Sequence, residues 1–270
     1  MAATAANAAT GTDGAERAER SRARFRSRIE QRNLSDRAAR ILELCRGKRV
    51  LHLGCADDPF TETKLDDASL LHGLLDAVAA ECYGVDLSAR AVILLQEHGY
   101  RNLVLGRAEE VAAQGRFGDK PFDIVLAGEV LEHVSDAGSF LLGLRPLLQN
   151  GTSRLVLTTP SAHCAYRFVY TMLTGRERVH PDHVGYYSPG TLHQLLGRCG
   201  YTIEELSYYS GREYLRNRGL ERILWLVDRI AFKLRPELGD GLIVVCRLMD
   251  GSDAGATGVE FPDPERLSAR

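Results

Sequence analysis

Asp57, Asp58 and Asp86 carry the first chemistry legible in this 270-residue chain. The stretch Val50-Leu51-His52-Leu53-Gly54-Cys55-Ala56-Asp57-Asp58 reads as an apolar strand running into a tight glycine turn, and Tyr83-Gly84-Val85-Asp86 ends a second apolar strand on an acid. A carboxylate in that place can accept both hydroxyl hydrogens of a ribose, so the two segments describe a nucleoside-binding crevice. The loop lacks what a pyrophosphate needs. Gly-x-Gly-x-x-Gly lets the backbone approach phosphate at a helix N-terminus, whereas Ala56 and Pro59 replace the second and third glycines and Asp57 and Asp58 would repel an anion. S-adenosylmethionine (SAM) carries a ribose, a sulfonium and an ammonium and no phosphate, and it fits this loop better than a nicotinamide dinucleotide does.

Methyl transfer from a sulfonium is an in-line displacement in which positioning supplies most of the acceleration, and a base is needed only when the nucleophile arrives protonated. A hydroxyl acceptor needs one. Histidine is the side chain whose unperturbed titration lies near neutrality, which singles out His183, His133 and His180 as catalytic candidates, in His180-Pro181-Asp182-His183 and Leu131-Glu132-His133. Glu129 and Glu132 could orient the base. The plainer readings are that His133 holds the geometry of a helix start and that His180 and His183 hydrogen-bond backbone within a lid. His180, Asp182 and His183 also contain a ligand-like set, so a divalent metal is the rival to base catalysis. These types and spacings are common in loops, and no residue is assigned as a metal ligand.

Such residues need a scaffold that carries them to one edge. Strand patterns near residues 49–53, 82–86, 102–105, 122–127 and 153–159 alternate with helical patterns near 68–80, 88–98 and 137–148. That alternation predicts a parallel sheet with right-handed crossovers and ligands at the carboxyl ends of the strands. Ahead of it, Leu34-Ser35-Asp36 offers a helix N-cap before Ala38, Ile41, Leu42 and Leu44 at helical spacing. Beyond residue 160 a helix at 163–174 leads through a polar loop to a Ser188-Pro189 helix start. Strands at 201–207 and 241–248 then flank a Leu- and Ile-rich helical insertion near 215–233.

The segments "VLHLGCADD", "GVDLS" and "FDIVLAGEVLEHV" stand in the order and spacing of a known family, and over residues 40 to 248 the chain resembles a class I SAM-dependent methyltransferase. The resemblance implies an α/β, Rossmann-like doubly wound, mostly parallel sheet with a reversed C-terminal strand, supplied here by Leu242-Ile243-Val244-Val245-Cys246. It implies cofactor contacts from Gly54, Cys55 and Ala56 in the turn, from Asp86 and Leu87 at the ribose, and from Gly128 and Glu129 at the end of the fourth-strand motif. His52 stands where the family usually carries an acid, and its plainer reading is a core histidine. Arg107 stands where many relatives have Asp, leaving Glu109 or the amide of Ala108 to meet the adenine. The product would be S-adenosylhomocysteine. "HPDHVGYYSPGTL" resembles a lid of bacterial methyltransferases of glycan and glycolipid assembly, which implies O-methylation of a saccharide or glycoconjugate hydroxyl, with Tyr186 and Tyr187 either facing the sugar or serving as packing residues. Methylation of a quinone, lipid or other natural product is the competing activity, and a SAM-binding module without catalysis the competing class.

Composition sets the outer limits. With 44% hydrophobic and 26% charged residues the chain can bury one sizeable core. A net charge of -2 gives no bulk attraction to nucleic acid or acidic lipid, so a small-molecule or glycan acceptor is expected, with no nucleic-acid partner. Six cysteines without a Cys-x-x-Cys pair read as reduced and predict no zinc site. No apolar run reaches membrane-spanning length and no secretory signal opens the chain, so a cytoplasmic protein is expected, and lysine only at Lys48, Lys64, Lys120 and Lys233 against abundant Arg and Ala points to a GC-rich, bacterial genome. Residues 1–32 read as a flexible Ala- and Arg-rich arm, its Arg-rich half a solvated helix, a polyanion-binding arm, or an oligomerisation arm that would make the protein a homodimer. The methyltransferase domain spans 33–248, with a lid near 161–189, and 249–270 read as a flexible tail.

Overall fold

The computed structural model describes residues 30–34, 36–117, 120–210 and 219–250. Among the described residues eight strands, β1 Glu30–Leu34, β2 Arg49–Leu53, β3 Glu81–Asp86, β4 Leu103–Leu105, β5 Ile124–Gly128, β6 Arg154–Pro160, β7 Tyr201–Tyr209 and β8 Gly241–Leu248, form one sheet in the order β1-β7-β8-β6-β5-β2-β3-β4. β8 runs antiparallel to β6 and β7, and the other pairs are parallel. The expected sheet with its reversed C-terminal strand is therefore present. Its order steps outward in both directions from the β5/β2 pair, and at that switch point the carboxyl ends of neighbouring strands open a crevice.

Side-chain alternation along the strands sorts the core into two layers. Leu51, Leu53, Val125 and Ala127 face one side and meet α5 (Ala108–Ala113), α6 (Ala137–Leu144) and α8 (Pro189–Arg198). Val50, Ile124 and Leu126 face the other and meet α1 (Arg37–Cys45) and α3 (Leu71–Asp76). α4 (Ala89–Glu97) packs on that side through Ala91 and Leu95. A sheet covered on both faces explains why the strands read as continuous apolar runs.

The helix expected over 68–80 is shorter, and a second helix precedes it. α2 (Thr61–Asp66) ends where Ala68 takes a left-handed φ of 55° and the Ser69 amide donates to Asp67 Oδ1 at 3.0 Å, so the chain turns before α3 can start at Leu71. α5 was likewise not anticipated. The solvated helix expected through residue 32 gives way at its end to β1, which pairs in parallel with β7 from Glu30↔Glu205 to Leu34↔Tyr209. The edge of β7 supplies the reason, since an edge strand left open has a row of backbone donors and acceptors to satisfy. The rest of the arm, residues 1–29, and all of the tail beyond Asp250 lie outside the described residues. All six cysteines are buried and free.

α1 is tied across the fold. Asp36 caps it by accepting from the Ala39 amide, and Arg40, buried, pairs with buried Glu205 of β7. α8 starts on a capping box in which Ser188 Oγ accepts from the Thr191 amide and Thr191 Oγ1 from the Ser188 amide. Ser188→Ala should cost about 1 kcal/mol and lower Tm by roughly 2–4 °C. Scanning calorimetry reads this, and an unchanged Tm would mean that water replaces the cap.

Candidate active site

The strand ends set the site. Gly54 leaves β2 at φ 69°, where its amide and that of Cys55 both reach the Val85 carbonyl of β3, and a Cβ there would stand 3.0 Å from Val130 Cγ2. Glycine is needed at this turn for its left-handed conformation and for the close approach of Val130. Asp86 ends β3 with its carboxylate held by two amides, Oδ2 accepting from Ala56 at 2.8 Å and Oδ1 from Ser88 at 2.9 Å. Each carboxylate oxygen has a second lone pair, so the acid is oriented and still able to accept from two hydroxyls. Leu87, 68% exposed, stands beside it as an apolar wall suited to an aromatic base. A ribose-bearing cofactor therefore fits the residues present. Gly106, absent from the expectations, donates its amide to the Asp86 carbonyl at 3.0 Å and so brings α5 to the same edge.

Several sequence candidates contribute less than expected. His52 is a core residue: its ring stacks on His72 at 5.6 Å under α3, and burial, helped by His72 and Arg37, drives its pKa well below the usual histidine range. A neutral, enclosed imidazole cannot replace the family acid as a charged anchor, which favours the plainer reading of His52 as a core histidine. Cys55 and Ala56 are buried too, and Gly84 has no room for a Cβ because Cys55 Sγ would lie 2.6 Å from it. The Cys55 thiol thus points into the sheet, and these two residues can offer a ligand only backbone. Asp57 pairs with Lys64, and Asp58 accepts from Ser88 Oγ at 3.2 Å, so the positive-charge preference read from the loop falls mainly to exposed Asp58. Glu109 accepts from Arg107 Nε at 2.9 Å. Its carboxylate is engaged, whereas Ala108, as the first residue of α5, has an amide without an intrahelical partner.

At the end of β5 the chain passes Gly128 into Glu129, which adopts φ 56°. A left-handed non-glycine costs on the order of 1–3 kcal/mol and persists where surroundings over-determine it. Here they do: the Glu129 amide donates to the Thr158 carbonyl, and its Oε1 accepts from Thr158 Oγ1 and Tyr209 Oη, each at 2.8 Å. Arg37, in the first turn of α1, donates to Thr158 Oγ1 at 2.9 Å and lies 3.4 Å from Glu129 Oε1. Burial, the largest single influence, would lower the Arg37 pKa, but Glu129, Tyr209, Asp57 and Glu132 together outweigh it and hold the guanidinium above its ordinary value. Glu132, one turn on, is fully buried, and neither of its carboxyl oxygens has a hydrogen-bond partner. Burial, then the charge of Glu129, pushes its pKa up to about 8, so at neutral pH it is largely a neutral acid.

The three catalytic candidates meet. His133 closes the short 3-10 turn Leu131–His133 after β5, and the lid loop is pinned over it by the Val184 amide donating to the Glu132 carbonyl at 2.8 Å. The ring of His183 lies 4.6 Å from that of His133 and 5.0 Å from that of His180, and one nitrogen from each residue falls within 4.8 Å of the others. His183 Nδ1 is buried without a hydrogen-bond partner. Burial, then the charges of His133 and His180, lower its pKa, so His183 is neutral and able to take a proton at pH 7. Asp182 lies 3.8 Å from His180 but outside this triad, which corrects the His180-Asp182-His183 grouping read from the sequence. Tyr186 lies under the Arg167 guanidinium at 4.5 Å, and Tyr187 packs on the main core.

A family model described as "Methyltransferase domain" matches residues 24–206. The "Ubiquinone biosynthesis O-methyltransferase" of Azorhizobium caulinodans is 30% identical over 181 residues, covering 63% of this chain and 64% of that protein. The protein of the same description from Rhodopseudomonas palustris strain BisA53 is 30% identical over 124 residues, 46% of this chain and 44% of the relative. The chain thus spans less than two thirds of the length of these relatives. Among solved structures, a SAM-dependent methyltransferase from Archaeoglobus fulgidus aligns with a TM-score of 0.52 at 19% identity, over 78% of this chain and 91% of that one. The small RNA methyltransferase HEN1 aligns with a TM-score of 0.53 at 17% identity, over 80% and 25%. These two likenesses are of fold.

Proposed function

The chain belongs to the class I SAM-dependent methyltransferases, and on that premise we propose that it methylates a hydroxyl oxygen on a small aromatic acceptor of the kind handled in quinone biosynthesis. The observation that carries the hydroxyl is the convergence of His133, His180 and His183 beside the Glu129 network. When bound, SAM supplies an electrophilic methyl group on a sulfonium. Asp86 would hold the ribose, the Gly54 turn would leave room for the methionine end, and Leu87 with the Ala108 amide would bound the base. With SAM bound, neutral His183 would take the hydroxyl proton as the acceptor oxygen displaced the sulfonium sulfur from the methyl carbon, the carbon–sulfur electron pair leaving with sulfur. His133 and His180, both exposed, pass the proton to water. Arg37, Thr158 and Tyr209 keep Glu129 in its left-handed turn at the wall of the acceptor space.

The acceptor class is supported by the names of the relatives, which describe O-methyltransferases of ubiquinone biosynthesis. Saccharide methylation, expected from the lid, is the less supported reading, because the lid tyrosines that favoured it are taken up by Arg167 and by the core. A second mechanism has a specific observation behind it: three histidine nitrogens within 4.8 Å of one another could hold a divalent cation that acidifies the hydroxyl. The test for the acceptor is a panel of dihydroxybenzenes with and without apolar tails, set beside saccharides. SAM and the purified protein are added, and methyl ethers are read by mass spectrometry. Methylation confined to saccharides would return the assignment to the glycan reading, and no methyl ether from any aromatic would remove the quinone-type acceptor.

A further inference from the structure

The outer face of α9 (Gly219–Leu234) is apolar where a surface helix is ordinarily polar. Ile223, Leu226, Ile230 and Leu234 recur at helical spacing and are 52% to 73% exposed, while Leu224 and Asp228 on the opposite side are buried. The helix therefore has two apolar faces, one used by the core and one presented outward. Arg222, Arg229 and Lys233 are exposed along one margin of the outer stripe, and Asp228 is turned inward. α7 (Ala165–Thr174) packs against α9 through Tyr166 and Leu224, and it exposes Phe168, Met172 and Leu173 by 58% to 72%. Both helices sit at the active-site edge. α7 follows the carboxyl end of β6, and α9 joins the end of β7, where Tyr209 reaches Glu129, to the start of β8.

We propose that α7 and α9 form a docking face for an anionic lipid bilayer, which seats the carboxyl edge of the sheet, and with it the active site, against the membrane surface. Binding would lie in the plane of the interface, since among the described residues no helix is long and apolar enough to cross a membrane. Apolar side chains entering the headgroup boundary with a basic margin beside them is the arrangement by which interfacial helices hold acidic lipid. The chain's net charge of -2 conceals this, because charge averaged over a whole chain does not report a local row of arginine and lysine. A second copy of the chain is a poorer occupant: a two-fold contact sets the same patch against itself and, with the facing helices antiparallel, would bring the basic margins together. The surface does not depend on which acceptor is methylated, although it would give a lipophilic acceptor a short path from the bilayer.

The experiment is co-sedimentation of the full chain with vesicles of phosphatidylcholine alone and of phosphatidylcholine with phosphatidylglycerol, at low and high salt. We expect binding to the phosphatidylglycerol vesicles, weakened by salt, and little to the neutral ones. Ile223→Glu combined with Ile230→Glu should abolish it, and Arg229→Ala and Lys233→Ala should each weaken partitioning roughly fivefold. Melting temperature and turnover on a water-soluble acceptor should stay unchanged, since none of these residues is placed in the site. If the double glutamate variant fails to fold, the two basic variants carry the test, because their side chains are exposed. Equal binding to both vesicle types, or full binding by the variants, would overturn the proposal. So would a wild-type dimer that the glutamates convert to monomer, which would show a second copy on this face.

Discussion

Replacing His183 by alanine is expected to lower turnover by about 10²–10⁴ while affinity for S-adenosylhomocysteine stays near that of the parent, because a general base acts in the transition state and the cofactor loses no proton. His183 is ranked first because its Nδ1 is buried without a partner and two other imidazoles stand within 5.0 Å of its ring. His133→Ala should follow, with His180→Ala third. The pH dependence has a definite sign. A base works only when deprotonated, and burial with two neighbouring histidines lowers the His183 pKa, so the acid limb of the rate profile should fall below the ordinary histidine value of about 6.5. His183→Asn keeps polarity without titrating and should lose both rate and limb. The cation mechanism makes a different pattern: chelation would stop the parent enzyme, Mg²⁺ or Mn²⁺ would restore it, and the three alanine variants would fail together. Full turnover in all three without metal would leave positioning, or Glu129, to carry the reaction.

How far the sequence could be read follows from what each feature depends on. β2, β3 and β5 were legible because strands covered on both faces must be apolar almost throughout, and Asp86 because an acid that closes such a run has few structural reasons to be there. Each histidine was legible as a residue type. Their meeting was not, since it needs the lid to fold back so that the Val184 amide reaches the Glu132 carbonyl and Ser161 bridges Tyr187. Arg37 gave no signal among so many arginines. Its importance comes from Thr158, 121 positions away in the chain, and Tyr209 joins the same network from β7. The left-handed φ of Glu129 breaks a local preference, which is where reading by propensity fails at functional sites. α9 failed differently. Its Leu and Ile content identifies a helix with an apolar face, but periodicity alone does not say which of two apolar faces the fold will cover.

Asp86→Ala should weaken S-adenosylhomocysteine binding roughly ten- to hundredfold, the loss of charge-assisted hydrogen bonds worth on the order of 1.5–3 kcal/mol. The carboxylate is already fixed by the amides of Ala56 and Ser88, so the parent protein spends little further ordering on presenting it to a ribose. Removing it also frees those two amides, and part of the loss will come from a looser turn after β2. Two features keep that part small: Gly54 and Cys55 remain bonded to the Val85 carbonyl, and Ser88 Oγ still caps α4 by accepting from the Ala91 amide. Asp86→Asn separates the contributions, because its single amide oxygen can keep one backbone contact but not accept on both sides, and its affinity should fall between parent and alanine. Calorimetric titration with S-adenosylhomocysteine, beside a melting curve showing that each variant is folded, measures this directly. An unchanged affinity in folded Asp86→Ala would remove the ribose from this carboxylate. Tighter binding of a nicotinamide dinucleotide than of SAM by the parent would mean that the loop tolerates phosphate despite exposed Asp58 and the missing glycines.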